Sequence, residues 1–312
     1  MRPFLSFLFA TLCLLAGAGA AAAQPLDQNL LAVAKKPTTS ALLRSWMSPE
    51  VGAAWAAGYR GQKTTITFID DFTSSSRSYG NLGNGTQLLR HGEWTRLEGS
   101  MIAPSASIVS KSFTSGTQVN LAKGLNVLNL SYGMYAAGGY TANRIGWSAQ
   151  ESSIISYARA GKALVVKAAG NDAVAVGTTN GQGQMDYLNL ALVGTPSTIF
   201  AGAINANGTV NKKASLASYS NRAGADVAVQ KRFLVVGVEG NKTGLYGTSF
   251  AAPIVAGYGA VLGSKFTTAT PTQIGNQLLS TARKDTLLNY NAESFGMGEA
   301  SLTRALAPRS IR

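Results

Sequence analysis

GTSFAAPIVAGYG, residues 247–259, is an apolar run built largely from Gly and Ala, with a Ser near its start and a Pro soon after. Pro is tolerated near a helix start, where its missing N–H has no intrahelical partner. A helix is therefore predicted to begin close to Ser249, with Pro253 in its first turn. Ala251, Ala252, Ala256, Gly257, Gly259 and Ala260 carry almost no side chain, and Gly is a poor helix former. A helix of this composition is expected to be buried, with other elements packed close to its backbone. Ser249 at its tip has two readings. One is a capping residue, a common role for Ser. The other is a nucleophile whose developing charge meets the positive end of the helix dipole.

Outward from this helix, apolar runs alternate with helical patterns. TTITFID (64–70), SASIVSKSF (105–113), NVLNLS (126–131), ALVVKAAG (163–170) and TIFAGAI (198–204) read as strands. A helix is expected after Trp46, with Ser48 as cap and Pro49 starting it, and another near His91. A third spans 142–161 and closes at Gly161. TPTQIGNQLLSTA (270–282) opens on a capping box, with Thr270 as cap, Pro271 in the first helical position and Gln273 reaching back. Residues 72–90 read as a Ser/Gly/Asn loop. Strands alternating with helices imply an α/β fold around a mostly parallel sheet, flanked by helices in three layers. No internal repeat or linker divides residues 45–312, which are expected to form one domain.

Composition narrows the classes of function. The chain has 312 residues, 46% of them apolar, which is enough for a full-sized core. Residues 1–23 have Arg2, an apolar run and small residues ending in Ala21-Ala22-Ala23, the layout of a secretory signal peptide. Residues 24–44 read as a short exposed leader. No later segment reaches the roughly 18 uninterrupted apolar residues of a membrane span, so an exported, extracellular or periplasmic protein is expected. The only cysteine, Cys13, lies inside the signal, which excludes thiol catalysis, cysteine-ligated zinc and disulfides from the mature chain. The net charge of +13 is scattered rather than gathered with aromatics, which argues against a nucleic-acid partner.

In parallel α/β sheets, ligands bind beyond the carboxyl ends of the strands. Four polar residues fall at such boundaries: Asp70 at the end of TTITFID, His91, Asn171 after ALVVKAAG, and Ser249. Each has an ordinary alternative. Asp70 can serve a turn and has Asp71 beside it as a competing carboxylate, His91 can be structural, and Asn171-Asp172 after Gly is common turn chemistry. Together they supply every part of a nucleophilic site. A Ser hydroxyl needs a His to take its proton, and that His needs a carboxylate to fix its tautomer. His91 is the only histidine in the chain. An amide N–H such as that of Asn171 can meet a developing oxyanion. The chain order Asp, His, Ser is that of subtilisin.

The sequence resembles the subtilases, the subtilisin-like serine peptidases. GTSFAAP (247–253) resembles the family's G-T-S-x-A-x-P motif, KAAGND (167–172) its oxyanion segment, and NVLNLSYG (126–133) the strand that binds substrate backbone. TFID (67–70) and HG (91–92) resemble the Asp and His segments. MIAPSASIVSKSF (101–113) and FGMGEASLTRAL (295–306) resemble the linking strand and the C-terminal turn and helix. The resemblance implies a subtilisin-like fold and an Asp70–His91–Ser249 triad, with Asn171 as the side-chain oxyanion donor. It implies that Ser131, Tyr132 and Gly133, with Ala168, Ala169 and Gly170, line the primary specificity pocket and pair with an extended peptide. Their small side chains suggest a roomy slot for a large apolar residue, with Asp172 a weak pointer to a basic one.

Departures from the family are specific. Its D-[ST]-G becomes Asp70-Asp71-Phe72, and its H-G-T-H becomes HGEW. The stretch from His91 to MIAPSAS is short, so the strong calcium loop is missing, and 72–90 contains no Asp or Glu. No metal or cofactor is expected. About 21 residues between signal and domain are fewer than the family's folded propeptide needs. Two rival readings are a catalytically impaired subtilase fold used for binding or scaffolding, and an α/β-hydrolase esterase. The latter wants G-x-S-x-G and a His after the Ser, whereas position 251 is Ala and His91 comes first.

Overall fold

A computed structural model describes residues 42–311 of the protein. The proposed signal peptide and most of the leader lie outside the described residues. Among the described residues there are ten strands: β1 Thr64–Asp70, β2 Ser78–Gly80, β3 Gln87–Leu89, β4 Ser107–Ser112, β5 Leu125–Leu130, β6 Tyr135–Ala137, β7 Leu164–Ala168, β8 Gln184–Asp186, β9 Thr198–Ile204 and β10 Phe233–Gly237. The helices are α1 Pro49–Ala56, α2 His91–Ile102, α3 Ala149–Ala160, α4 Tyr187–Leu192, α5 Val227–Gln230, α6 Gly240–Thr243, α7 Thr248–Lys265, α8 Pro271–Ser280, α9 Ala292–Phe295 and α10 Leu302–Leu306.

Six strands form the central sheet in the order β10-β9-β7-β5-β1-β4, and every pairing in it is parallel. β1, β7, β9 and β10 are buried throughout, as expected of a parallel sheet covered on both faces. Their side chains alternate between two cores. Leu164 and Val166 join Val127, Ile199 and Leu234 on the face covered by α7, whereas Val165 joins Leu128, Phe200 and Phe233 on the face covered by α3. The architecture is the expected three-layer α/β fold with a parallel central sheet.

The composition of 247–259 follows from where α7 runs. Fifteen of its eighteen residues are buried, and a helix that is apolar all round belongs inside a fold. It packs on β1, β5, β7, β9 and α2. A Cβ on Gly257 would lie 2.5 Å from Ile102 of α2, and one on Gly259 would lie 2.7 Å from Leu164 of β7. Larger residues would push the helix off the sheet.

Several elements differ from the sequence expectation. Residues 72–90 are not all loop: β2 and β3 form an antiparallel hairpin, pinned by Trp94 Nε1 donating to the Ser78 carbonyl at 3.0 Å. The 142–161 helix is broken. A short 3-10 turn at 142–144 precedes α3, which starts under a cap at Ser148 and ends on left-handed Gly161. Leu42 and Leu43 pack against the core, so this end of the leader is not exposed. No helix among the described residues is long and apolar enough to cross a membrane.

Candidate active site

Because β1, β5 and β7 are adjacent and parallel, Asp70, Ser131 and Asn171 emerge on one edge of the sheet. Asp70 is fully buried at the end of β1. Its Oδ1 lies 2.6 Å from His91 Nδ1, and its Oδ2 accepts from Thr95 Oγ1 at 2.8 Å. Thr95 stands four residues after His91, so one turn of α2 presents both side chains to the same carboxylate. Asp71 faces elsewhere: it accepts from the backbone N–H groups of Thr73 and Ser74 and from the Ser74 hydroxyl. Burial works against its charge, but those bonds prevail and hold its pKa below the ordinary value. The two aspartates thus divide into one that meets His91 and one that builds a turn.

Burial also disfavours the charged form of His91. The charge and hydrogen bond of Asp70, with the charge of Asp71, outweigh it and hold the His91 pKa above its ordinary value. The imidazole keeps 23% exposure. The HGEW departure has a local purpose. Glu93 Oε2 accepts from the Arg90 N–H at 2.8 Å, closing the start of α2. Trp94 is fully buried and holds the β2–β3 hairpin.

Ser249 is the second residue of α7 and does not cap it; the cap is Gly247, with φ 123°, a conformation that favours glycine. The Ser249 N–H therefore lies in the first turn, where no intrahelical acceptor exists. Pro253 sits in the second turn rather than the first. Its missing N–H leaves the Ser249 carbonyl without the usual helix donor, and Ser131 Oγ supplies one at 2.8 Å. Ser249 Oγ donates in return to the Ser131 carbonyl at 3.2 Å. The next residue, Phe250, packs its ring 5.7 Å from that of His91, which brings His91 to the tip of α7.

Asn171 is oriented by Thr248. Its Oδ1 accepts from Thr248 N at 2.8 Å and Thr248 Oγ1 at 3.0 Å, which directs the amide N–H groups away from Thr248. Thr248 Oγ1 also accepts from Gly170 N at 3.0 Å, tying the exit of β7 to the start of α7. Asn221 holds the same turn from behind, through Asp172 N, Val174 N and the Ala169 carbonyl.

The residues expected to line a pocket divide into two groups. Ser131 exchanges two hydrogen bonds with Ser249, Gly170 N donates to Thr248 beside it, and Gly133 lies against Tyr135. Tyr132 turns inward, its hydroxyl donating to Glu151 and its ring stacked on Phe113, so only its backbone is available to a ligand. Ala168 and Ala169 are buried, with their carbonyls taken by Lys167 and by Asn189 and Asn221. The Tyr135 ring lies against Gly133, and its hydroxyl donates to Asp172 at 3.2 Å. Sequence reading misses Thr248, Asn221 and Tyr135. The spacing of Thr95 from His91 is a signal for that residue, whereas nothing local marks Asn221. Among the described residues, no group of three or more His, Cys, Asp or Glu side chains is placed to hold a metal ion.

Solved structures with this fold include the prenylagaramide maturation protease PagA, with TM-score 0.53 and 20% identity over 83% of this chain and 98% of that one. MycP1 from Mycobacterium smegmatis gives TM-score 0.53 and 19% identity over 86% and 85%. The psychrophilic protease S41 gives 0.51 and 17% over 77% and 92%. No curated protein sequence matches the chain. The model of the Subtilase family matches residues 98–298, a span that begins after Asp70 and His91 and holds both Asn171 and Ser249. With more than half of its length in that match, on a fold shared with proteases, this chain belongs to the subtilase family.

Proposed function

We propose that this chain is an exported serine endopeptidase that hydrolyses peptide bonds through Asp70, His91 and Ser249. The observation that carries the reading is the 2.6 Å contact between His91 Nδ1 and a buried, doubly bonded Asp70, formed beside the tip of α7. Asp70 fixes the tautomer with the proton on Nδ1, which leaves Nε2 as the base. Ser249 Oγ attacks the peptide carbonyl carbon as its proton passes to His91 Nε2. The carbonyl oxygen becomes an oxyanion at the N-terminus of α7, where the Ser249 N–H and the Asn171 amide are the available donors. His91 then gives its proton to the leaving amine, the C–N bond breaks, and Ser249 holds an acyl ester. Water attacks that ester with the same base, releasing the acid and restoring Ser249. The imidazolium formed twice in this cycle is the species that Asp70 stabilises.

Substrates are proteins or peptides bound in extended form along the strand end at 131–133, as an added strand. Export is supported by the signal-like residues 1–23, and no metal or cofactor takes part in any step. The departures at Asp71-Phe72 and Glu93-Trp94 do not undo the constellation, because each has its own structural role away from the Asp70–His91 contact. The test is casein hydrolysis by the purified protein beside its Ser249→Ala and His91→Ala variants. Hydrolysis by the native protein and loss in both variants supports the reading. Peptide binding with no hydrolysis by the native protein overturns it in favour of a binding or scaffolding role.

A further inference from the structure

A peptide whose carbonyl carbon meets Ser249 Oγ must place the side chain before the scissile bond between the segments leaving β5 and β7. Those segments flank Ser249 directly: Ser131 accepts from Ser249 Oγ, and Asn171 accepts from Thr248 N. Tyr135 reaches from Gly133 on the first segment to Asp172 on the second. A Cβ placed on Gly133 would lie 2.4 Å from Tyr135 Cε2, so the ring is pressed against that backbone. The phenol hydroxyl reaches Asp172 Oδ2 at 3.2 Å, one residue beyond Asn171. The side chain is half-buried rather than sealed in the core, so it presents a face to the gap.

The bridge is firmly mounted. Tyr135 begins β6, which pairs antiparallel with β8 and sets Tyr135 opposite Asp186. Asp186 Oδ1 accepts from Met134 N at 2.9 Å and Leu188 N at 3.1 Å, and Oδ2 pairs with buried Lys167 Nζ at 2.9 Å. Asn180 Nδ2 donates to the other oxygen of Asp172 at 3.2 Å. Both carboxylates near the gap are therefore engaged: Lys167 offsets the charge of Asp186, and Tyr135 and Asn180 occupy Asp172. Burial, with Asp186 and Asp172 beside it, pushes the Tyr135 hydroxyl far above the usual tyrosine range, so it stays a donor.

We propose that Tyr135 closes the primary specificity pocket, so that the substrates are peptides with a small, uncharged residue, Gly, Ala or Ser, immediately before the scissile bond. This deepens the peptidase reading and rests on it. A Phe side chain entering the gap must displace the ring and break its bond to Asp172, and a basic side chain finds no unengaged carboxylate.

The test compares labelling rates of the full protein by two peptidyl diphenyl phosphonates that differ only in an Ala-like or Phe-like side chain at the phosphonate. An alkyl fluorophosphonate without a peptide reports the nucleophile alone. Native protein is expected to react with the Ala-like probe at least about tenfold faster than with the Phe-like one. Tyr135→Ala abolishes or reverses that ratio, and Tyr135→Phe, which keeps the ring, retains the native ratio. Equal or faster labelling of native protein by the Phe-like probe overturns the assignment, as does a native ratio in Tyr135→Ala. The native ratio decides even where Tyr135→Ala does not fold. Failure of the alkyl probe on native protein rejects the peptidase reading and the specificity with it; alkyl labelling with a flat ratio rejects the specificity alone.

Discussion

Glu98 should make the folded protein less stable as pH rises above the ordinary carboxylate range. It lies two turns beyond His91 on α2, is 1% exposed, and neither carboxylate oxygen has a hydrogen-bond partner. Burial alone pushes its pKa well above the ordinary value, because an ionised carboxylate without donors is costly in an apolar surround. Its titratable neighbour Tyr219 is also raised, by burial first, and offers no opposite charge. Below the unfolded-state pKa, about 4.3, both states carry the proton and Glu98 does not penalise folding. Between that value and the raised folded pKa, the folded state binds one proton more than the unfolded chain. Stability then falls by about 1.4 kcal/mol per pH unit. For a domain of this size that is roughly 3–6 °C in Tm per unit. Glu98→Gln removes the titration and keeps the shape. Melting both proteins in a Ser249→Ala background, which prevents self-digestion, isolates the effect, since every other titrating group cancels in the difference. The variant should gain on its parent steadily from about pH 5 upward. A difference that does not change with pH would refute the reasoning.

Three further outcomes are expected. The acid limb of kcat/KM should report His91, the only histidine, and lie above the ordinary value of about 6.5, since Asp70 and Asp71 outweigh burial; activity is lost as pH falls through it, and an optimum near pH 4 would contradict this. Asn171→Ala should lower kcat by about 10²–10³, a magnitude taken from subtilisin's own side-chain donor rather than worked from this structure, with little change in KM. Thermal melting of Ser249→Ala should be the same with EDTA as with millimolar calcium; a rise of more than a few degrees with calcium would show a site built from backbone carbonyls.

The sequence is most legible where one element suffices to declare itself. β1 and β9 are recognised to the residue because their β-branched and aromatic residues, TTITFID and TIFAGAI, mark strands locally. β10 is harder: FLVVG is a five-residue apolar run, too short for periodicity to tell a strand from a buried helix segment. β6 and β8 have three residues each and exist only through pairing across some fifty positions. Local rules also misplace the start of α7. They put Pro253 in the first turn because its lost hydrogen bond matters least there, whereas the fold compensates it in the second turn with Ser131, 118 residues away. The candidate site follows the same division. Asp70, His91, Asn171 and Ser249 stand at element boundaries and can be picked from sequence. Residues that hold them divide again: Thr95 is visible from its helical spacing, Asn221 is not. Tyr135 is the sharpest case, because small residues at 133 and 168–170 suggest open space that a distant pairing, Tyr135 opposite Asp186, fills.

Whether Ser249 is a nucleophile activated by His91 is decided by treating the native protein with an alkyl fluorophosphonate, measuring its intact mass and mapping the adduct. A single adduct on Ser249 is predicted, absent from Ser249→Ala and strongly slowed in His91→Ala. An unlabelled native protein, or an adduct that persists in Ser249→Ala, would contradict the account.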